Sequence, residues 1–212
     1  MRNPWLDIPL SDYEGHMALP QVDQARMLSE QLAAVLKLHR PCSVALIGCA
    51  GGNGFERIDP HATSRVVGVD INPEYLATAR RRFAGVFDSL ELLCADAQSD
   101  ELTFEPVDLI FAALVFEYAD PRAMLRNLAA RTRPDGVLAA VLQLPTPGKM
   151  PVTPTPFKSL GKLTPIMALL PPEELIGEAR VGGLKLCSTR RIDLPSGKRF
   201  QSLTFLVPNK PA

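Results

Sequence analysis

The chain has 212 residues, and its 23 Lys plus Arg match 23 Asp plus Glu, so no net charge draws in nucleic acid or an anionic membrane. Apolar residues make up 46% and charged residues 22%, a globular balance, and no run approaches the roughly 20 apolar residues that span a bilayer. Met1-Arg2-Asn3-Pro4-Trp5-Leu6-Asp7 lacks the apolar stretch of an export signal. Cys42, Cys49, Cys94 and Cys187 form no C-x-x-C pair and no metal-ligand spacing with His16, His39 or His61. We therefore expect a single cytoplasmic domain over residues 1–212, with no metal and with reduced thiols in apolar surroundings. Arg80-Arg81-Arg82 reads as a solvated helix face.

In chain order, residues 1–40 read as an N-terminal lid followed by a helix from Pro20 to about His39, with Val22, Ala25, Leu28, Leu32 and Val35 at three- and four-residue steps. Pro41 stops it. Residues 41–144 read as a cofactor-binding core. Its strands are Ser43–Ile47, Val66–Asp70, Leu90–Cys94, Val107–Ala113 and Val137–Leu142. Between them, Asn72-Pro73-Glu74 opens one helix with an N-cap and a first-turn proline, and Pro121 opens another running to about Ala130. Strands alternating with helices predict right-handed crossovers and a mainly parallel sheet. Residues 145–172, rich in proline, form a loop that is either a lid over the site or a surface crossover. Residues 173–212 supply a last helix and a β-hairpin.

The chemistry centres on Val44-Ala45-Leu46-Ile47-Gly48-Cys49-Ala50-Gly51-Gly52-Asn53-Gly54. An apolar strand ends in glycines, and the next strand ends in Asp70, a carboxylate able to accept hydrogen bonds from both hydroxyls of a ribose. Gly48, Gly52 and Gly54 match the spacing of short-chain dehydrogenases, but Tyr13, Tyr75 and Tyr118 are followed four residues later by Met17, Ala79 and Arg122. The Tyr-x-x-x-Lys pair of an NAD(P)-dependent enzyme is missing. The dinucleotide G-x-G-x-x-G also fails, because its third glycine falls on Arg57.

From about residue 20 to 207 the chain resembles the class I S-adenosylmethionine-dependent methyltransferases, of the small type 11/12-like kind. The resemblance rests on the glycine turn, Val69-Asp70-Ile71-Asn72-Pro73, Asp96-Ala97, Asp108-Leu109-Ile110-Phe111-Ala112-Ala113-Leu114, Arg133-Pro134-Asp135-Gly136 and the terminal hairpin. It implies an α/β, Rossmann-like three-layer sandwich around a mainly parallel seven-stranded sheet with an antiparallel C-terminal strand. It also implies that Gly48, Cys49, Ala50, Gly52, Asn53 and Gly54 wrap the methionine part of S-adenosyl-L-methionine. Asp70 and Ile71 would then hold the ribose side, Asp96 and Ala97 the adenine, and Ala113 and Leu114 the end of the fourth strand beside the methionine. The chain departs from the family pattern at Leu46, where an acidic residue is common, and at Ala50, where a glycine is common; Ala50 needs a φ that a Cβ tolerates.

On the acceptor side the candidates are Tyr13 and His16, in a segment expected to fold over the methyl group, and Glu117, just past the fourth strand. Tyr13 would set an aromatic face near a sulfonium, His16 would take a proton, and Glu117 would orient a substrate amine or hydroxyl or else cap the following helix. Gln143 has a similar position. The expected partner is a small molecule, with neither nucleic acid nor membrane involved and no indication of oligomeric state. The acceptor is reached beneath the Pro-rich loop and the N-terminal lid. The alternative is a non-catalytic cofactor-binding or scaffold module.

Overall fold

Ser43–Ile47 is buried at every position and forms β1, the centre of the sheet. In the computed structural model, which describes residues 3–209, β1 pairs in parallel with β2 (Arg65–Asp70) on one side and β4 (Val107–Ala113) on the other. β3 (Ser89–Cys94) adds to β2 and β5 (Thr132–Leu144) to β4, both parallel. The hairpin of β6 (Lys185–Asp193) and β7 (Arg199–Leu206) closes the sheet, β7 running antiparallel to β5. The order is β3-β2-β1-β4-β5-β7-β6, the seven-stranded mixed sheet expected from the sequence.

Alternation along the strands splits the core into two layers. Ala45, Ile47, Ile110 and Leu138 face α4 (Pro121–Ala130) and α5 (Pro172–Val181), while Val44, Leu46, Leu109 and Val137 face α2 (Gln24–His39) and α3 (Pro73–Arg82). Both faces are covered, so the central strands read as unbroken apolar runs. The Asn72 side chain accepts from the amides of Glu74 and Tyr75 at 3.0 and 3.4 Å to start α3, and Asp120 accepts from Ala123 to start α4.

Three expectations change. The segment read as a lid contains a helix, α1 (Leu10–Ala18), and α2 begins at Gln24, after a turn at residues 19–22, rather than at Pro20. The Arg133–Gly136 turn lies within β5 as a bulge, because Thr132 already pairs with Val107 before Val137 pairs with Leu109. Of the four cysteines only Cys49 is buried; Cys42, Cys94 and Cys187 are exposed, the last two on the edge strands β3 and β6. Residues 1 and 2 of the stretch read for an export signal lie outside the described residues. No helix among the described residues is long and apolar enough to cross a membrane.

Candidate functional site

Strand order reverses between β1 and β4, and crevices at such switch points, beyond the carboxyl ends of the strands, are where open α/β sheets bind ligands. The turn after β1 is pinned there: the amides of Gly48 and Cys49 both donate to the Val69 carbonyl, at 2.8 and 3.1 Å. Gly48 sits at φ +71°, where a Cβ would fall 2.5 Å from the Val115 side chain, and Gly52 at φ +90°, where it would fall 2.5 Å from the Phe83 ring. These glycines are thus required by the turn's own packing as well as by left-handed backbone. Ala50 also adopts a left-handed φ of +47°, so this departure from glycine carries backbone strain.

Asp70, at the end of β2, accepts the Ala50 amide at 2.8 Å through Oδ2 and the Asn72 amide at 2.9 Å through Oδ1. Burial raises its pKa, and the backbone amides of Asn72, Ala50 and Ile71 oppose that rise. It fronts an open cleft of about 760 Å³, a volume that includes space open to solvent. Gly48, Ala50, Asp70, Ile71, Asp96, Ala97, Ala113 and Leu114 all line this cleft. Leu114 holds φ +55°, so strained backbone stands on both sides of the switch point.

The roof of the cleft is aromatic. Trp5 packs edge-on against Tyr13 and Tyr118, with ring centroids 5.7 and 5.2 Å apart, and Tyr13 stacks on Tyr75 at 6.3 Å. Asn72 Nδ2 donates to the Trp5 carbonyl at 3.0 Å and the Tyr75 hydroxyl to the Ile8 carbonyl at 2.8 Å, so the start of α3 ties the N-terminal segment beside Asp70. Arg82 adds a two-pronged ion pair to Glu14 at 2.5 and 2.9 Å. Burial, then the charge of Asp70, keep the Tyr13 phenol protonated well above its ordinary range.

A second cavity of about 960 Å³ opens on the α2 side of β1 and shares Tyr13, Ile47, Gly48 and Ala113 with the first. Cys49, Asn53 and Gly54 line this second space rather than the first, and Gly52 lines neither.

His16 and Glu117 stand apart from both cavities. His16 Nδ1 lies 3.0 Å from Thr155 Oγ1, so this ring pins α1 to the Pro-rich loop; burial, then Lys198, lower its pKa. Glu117 is almost fully buried, accepting the Gln143 amide at 2.7 Å through Oε1 and leaving Oε2 without a hydrogen-bond partner. Burial lifts its pKa to about 7. Asp120, not Glu117, caps α4, and its neighbour Tyr118 is the residue that reaches the cleft. Gln143 turns to Gln24 and to the Pro151 carbonyl.

The Pro-rich loop lines neither cavity. Leu160 and Leu163, in the short helical turn Lys158–Leu163, pack with Ile8, Trp5 and Tyr13. Ser159 donates to Asp12 at 2.6 Å, and Phe157 lies against Gly15, where a Cβ would come within 2.4 Å of the ring. The loop buttresses the lid from behind. Trp5 and Tyr75 are wall residues that the strand-end motifs did not reveal; with Tyr13 and Tyr118 they make four aromatic residues around one cleft.

Comparison with known proteins agrees with this geometry. A family model described as a methyltransferase domain matches residues 46–140. Trans-aconitate 2-methyltransferases from Methylobacterium nodulans and Rhodopseudomonas palustris are 30% and 31% identical over 139 and 140 residues, covering 64% of this chain and 51% of each relative. The chain thus spans about half the length of the curated relatives it matches. An N-methyltransferase from Bradyrhizobium japonicum, solved with S-adenosyl-L-homocysteine, superposes with a TM-score of 0.66 at 19% identity over 91% of this chain and 90% of that one. Magnesium protoporphyrin IX methyltransferase from Synechocystis gives 0.69 at 15% identity over 92% of each chain. Matched segment, strand order and fold together make the chain similar to the class I S-adenosylmethionine-dependent methyltransferases.

Proposed function

We propose that the chain transfers a methyl group from S-adenosyl-L-methionine to a small-molecule acceptor. The observation that carries this reading is the half-buried Asp70 carboxylate. It fronts the switch-point cleft, and no Lys or Arg is within hydrogen-bond or ion-pair reach of it among the described residues. Each of its oxygens takes one backbone amide and keeps acceptor capacity, which suits a vicinal diol. Asp96 and Ala97 stand at the end of β3 for the adenine, and Gly48 and Ala113 for the methionine end. The aromatic roof offers ring faces to a sulfonium, an attraction worth about 0.5–2 kcal/mol.

Bound there, the donor supplies an activated methyl on a sulfonium; the protein's share is alignment and exclusion of water. Tyr13 borders both cavities and positions the reacting ends, protonated throughout the physiological range. Since neither His16 nor Glu117 lines a cavity, the acceptor proton is released to solvent rather than to either of them. The names of the two curated relatives support a small-molecule acceptor.

The test is methyl transfer from labelled S-adenosyl-L-methionine to a panel of small acids, alcohols, phenols and amines, trans-aconitate among them. Transfer to any of them supports the reading. Binding of S-adenosyl-L-homocysteine without turnover favours a non-catalytic module, and no binding at all contradicts both.

A further inference from the structure

We infer that the acceptor is an uncharged, largely apolar molecule held in the second cavity, an inference that rests on the methyl-transfer reading above. That cavity meets the cofactor cleft at Tyr13, Ile47, Gly48 and Ala113, so a ligand in it abuts the methionine end of the cleft. Its walls are Met17, Leu28, Leu32, Leu46 and Phe111.

Charge decides between acceptor classes. Among the described residues no Lys or Arg lines either cavity. The second cavity has two carboxylates, and both are engaged: Glu14 by Arg82, and Glu56 by Ser29, the Gly54 amide and Arg57. An anionic acceptor would lose hydration against apolar walls, with no counter-ion and with Asp70 nearby, at a cost of several kcal/mol. A cationic acceptor would find its carboxylates already paired, and its nucleophilic lone pair would be protonated. A neutral molecule avoids both penalties and gains the apolar surface. Its heteroatom meets polar groups at the seam of the two cavities, where Tyr13 lines both and Asn53 lines the second. In the step, the acceptor's lone pair forms the bond to the methyl carbon as the S–C bond breaks. Sulfur keeps that electron pair and becomes a thioether, and the acceptor's proton passes to water.

The experiment titrates the full chain, saturated with S-adenosyl-L-homocysteine, with 2-naphthol and separately with propane-1,2,3-tricarboxylate, by calorimetry. 2-Naphthol is expected to bind, and the tricarboxylate to bind at least about a hundredfold more weakly. Ala25→Trp, an exposed position on α2 that lines only the second cavity, is expected to weaken 2-naphthol about tenfold or more. S-adenosyl-L-homocysteine affinity, read alongside, reports whether the variant is folded. Equal or tighter tricarboxylate binding overturns the inference while leaving the donor reading intact. So does 2-naphthol that fails to bind or ignores Ala25→Trp. Failure of S-adenosyl-L-homocysteine to bind the wild-type chain overturns the donor reading itself, and this inference with it.

Discussion

Asp70 Oδ2 accepts the backbone amide of Ala50 at 2.8 Å, joining the end of β2 to the turn after β1 through a residue held at φ +47°. The carboxylate stabilises a left-handed residue that is not glycine. Ala50→Gly removes about 1–2 kcal/mol of left-handed strain but adds unfolded-state entropy, so urea denaturation should move by less than about 1 kcal/mol with cofactor-product affinity kept. Ala50→Val, β-branched at the same φ, should lose about 1–3 kcal/mol and weaken that affinity. Equal stability of the two variants would contradict the strain assignment.

Gly15 is a packing requirement of the lid. Gly15→Ala places a Cβ 2.4 Å from the Phe157 ring, which should cost about 1–3 kcal/mol and raise the dissociation constant of S-adenosyl-L-homocysteine. Adding Phe157→Leu should restore part of both losses. Additive effects in this double-mutant cycle would show that the contact does not hold the lid.

His16 ties α1 to the Pro-rich loop, and the proposed function assigns it no proton transfer. His16→Gln should keep kcat within about threefold and leave the pH–rate profile unchanged, because a positioned general base contributes about 10²–10⁴. A hundredfold loss of kcat with intact product affinity would return His16 to the reaction.

Glu117 predicts a pH dependence of stability. Its pKa is raised from 4.5 to about 7 by burial, so the folded state holds the proton more tightly than the unfolded one. That stabilisation is complete below about pH 4.5 and is lost as pH rises through about 7; one pKa unit is worth about 1.4 kcal/mol, so the loss is on the order of 3 kcal/mol. Relative to Glu117→Gln, which does not titrate, the wild type should become progressively less stable from pH 5 to 8. Parallel stability curves would show that Glu117 is not buried as a carboxylic acid.

The central strands and the α3 cap were legible because a strand buried on both faces leaves an unbroken apolar run, and Asn72-Pro73 states a helix start in two residues. Helix α1 was not. Its nine residues include Gly15 and several polar side chains, and it is fastened by distant partners, Arg82 to Glu14 and Ser159 to Asp12, which no local pattern contains. The same limit separated Glu117 from Tyr118. Strand-end logic located the pair, but the helical turn Phe116–Tyr118 sends one side chain under Gln143 and the other into the aromatic roof. The Pro-rich loop was expected either to cover the site or to cross the surface, and it packs against the N-terminal segment instead. Which side of the lid it packs against depends on Phe157, Leu160 and Leu163 meeting residues about 150 positions earlier.

The measurement that bears most directly on the central claim is calorimetric binding of S-adenosyl-L-homocysteine to the wild type and to Asp70→Ala. Both should first be shown folded by coincident unfolding transitions. The wild type is expected to bind and the variant to lose about tenfold or more in affinity, the cost of removing charged hydrogen-bond acceptors. Equal affinity of the two folded proteins would contradict it.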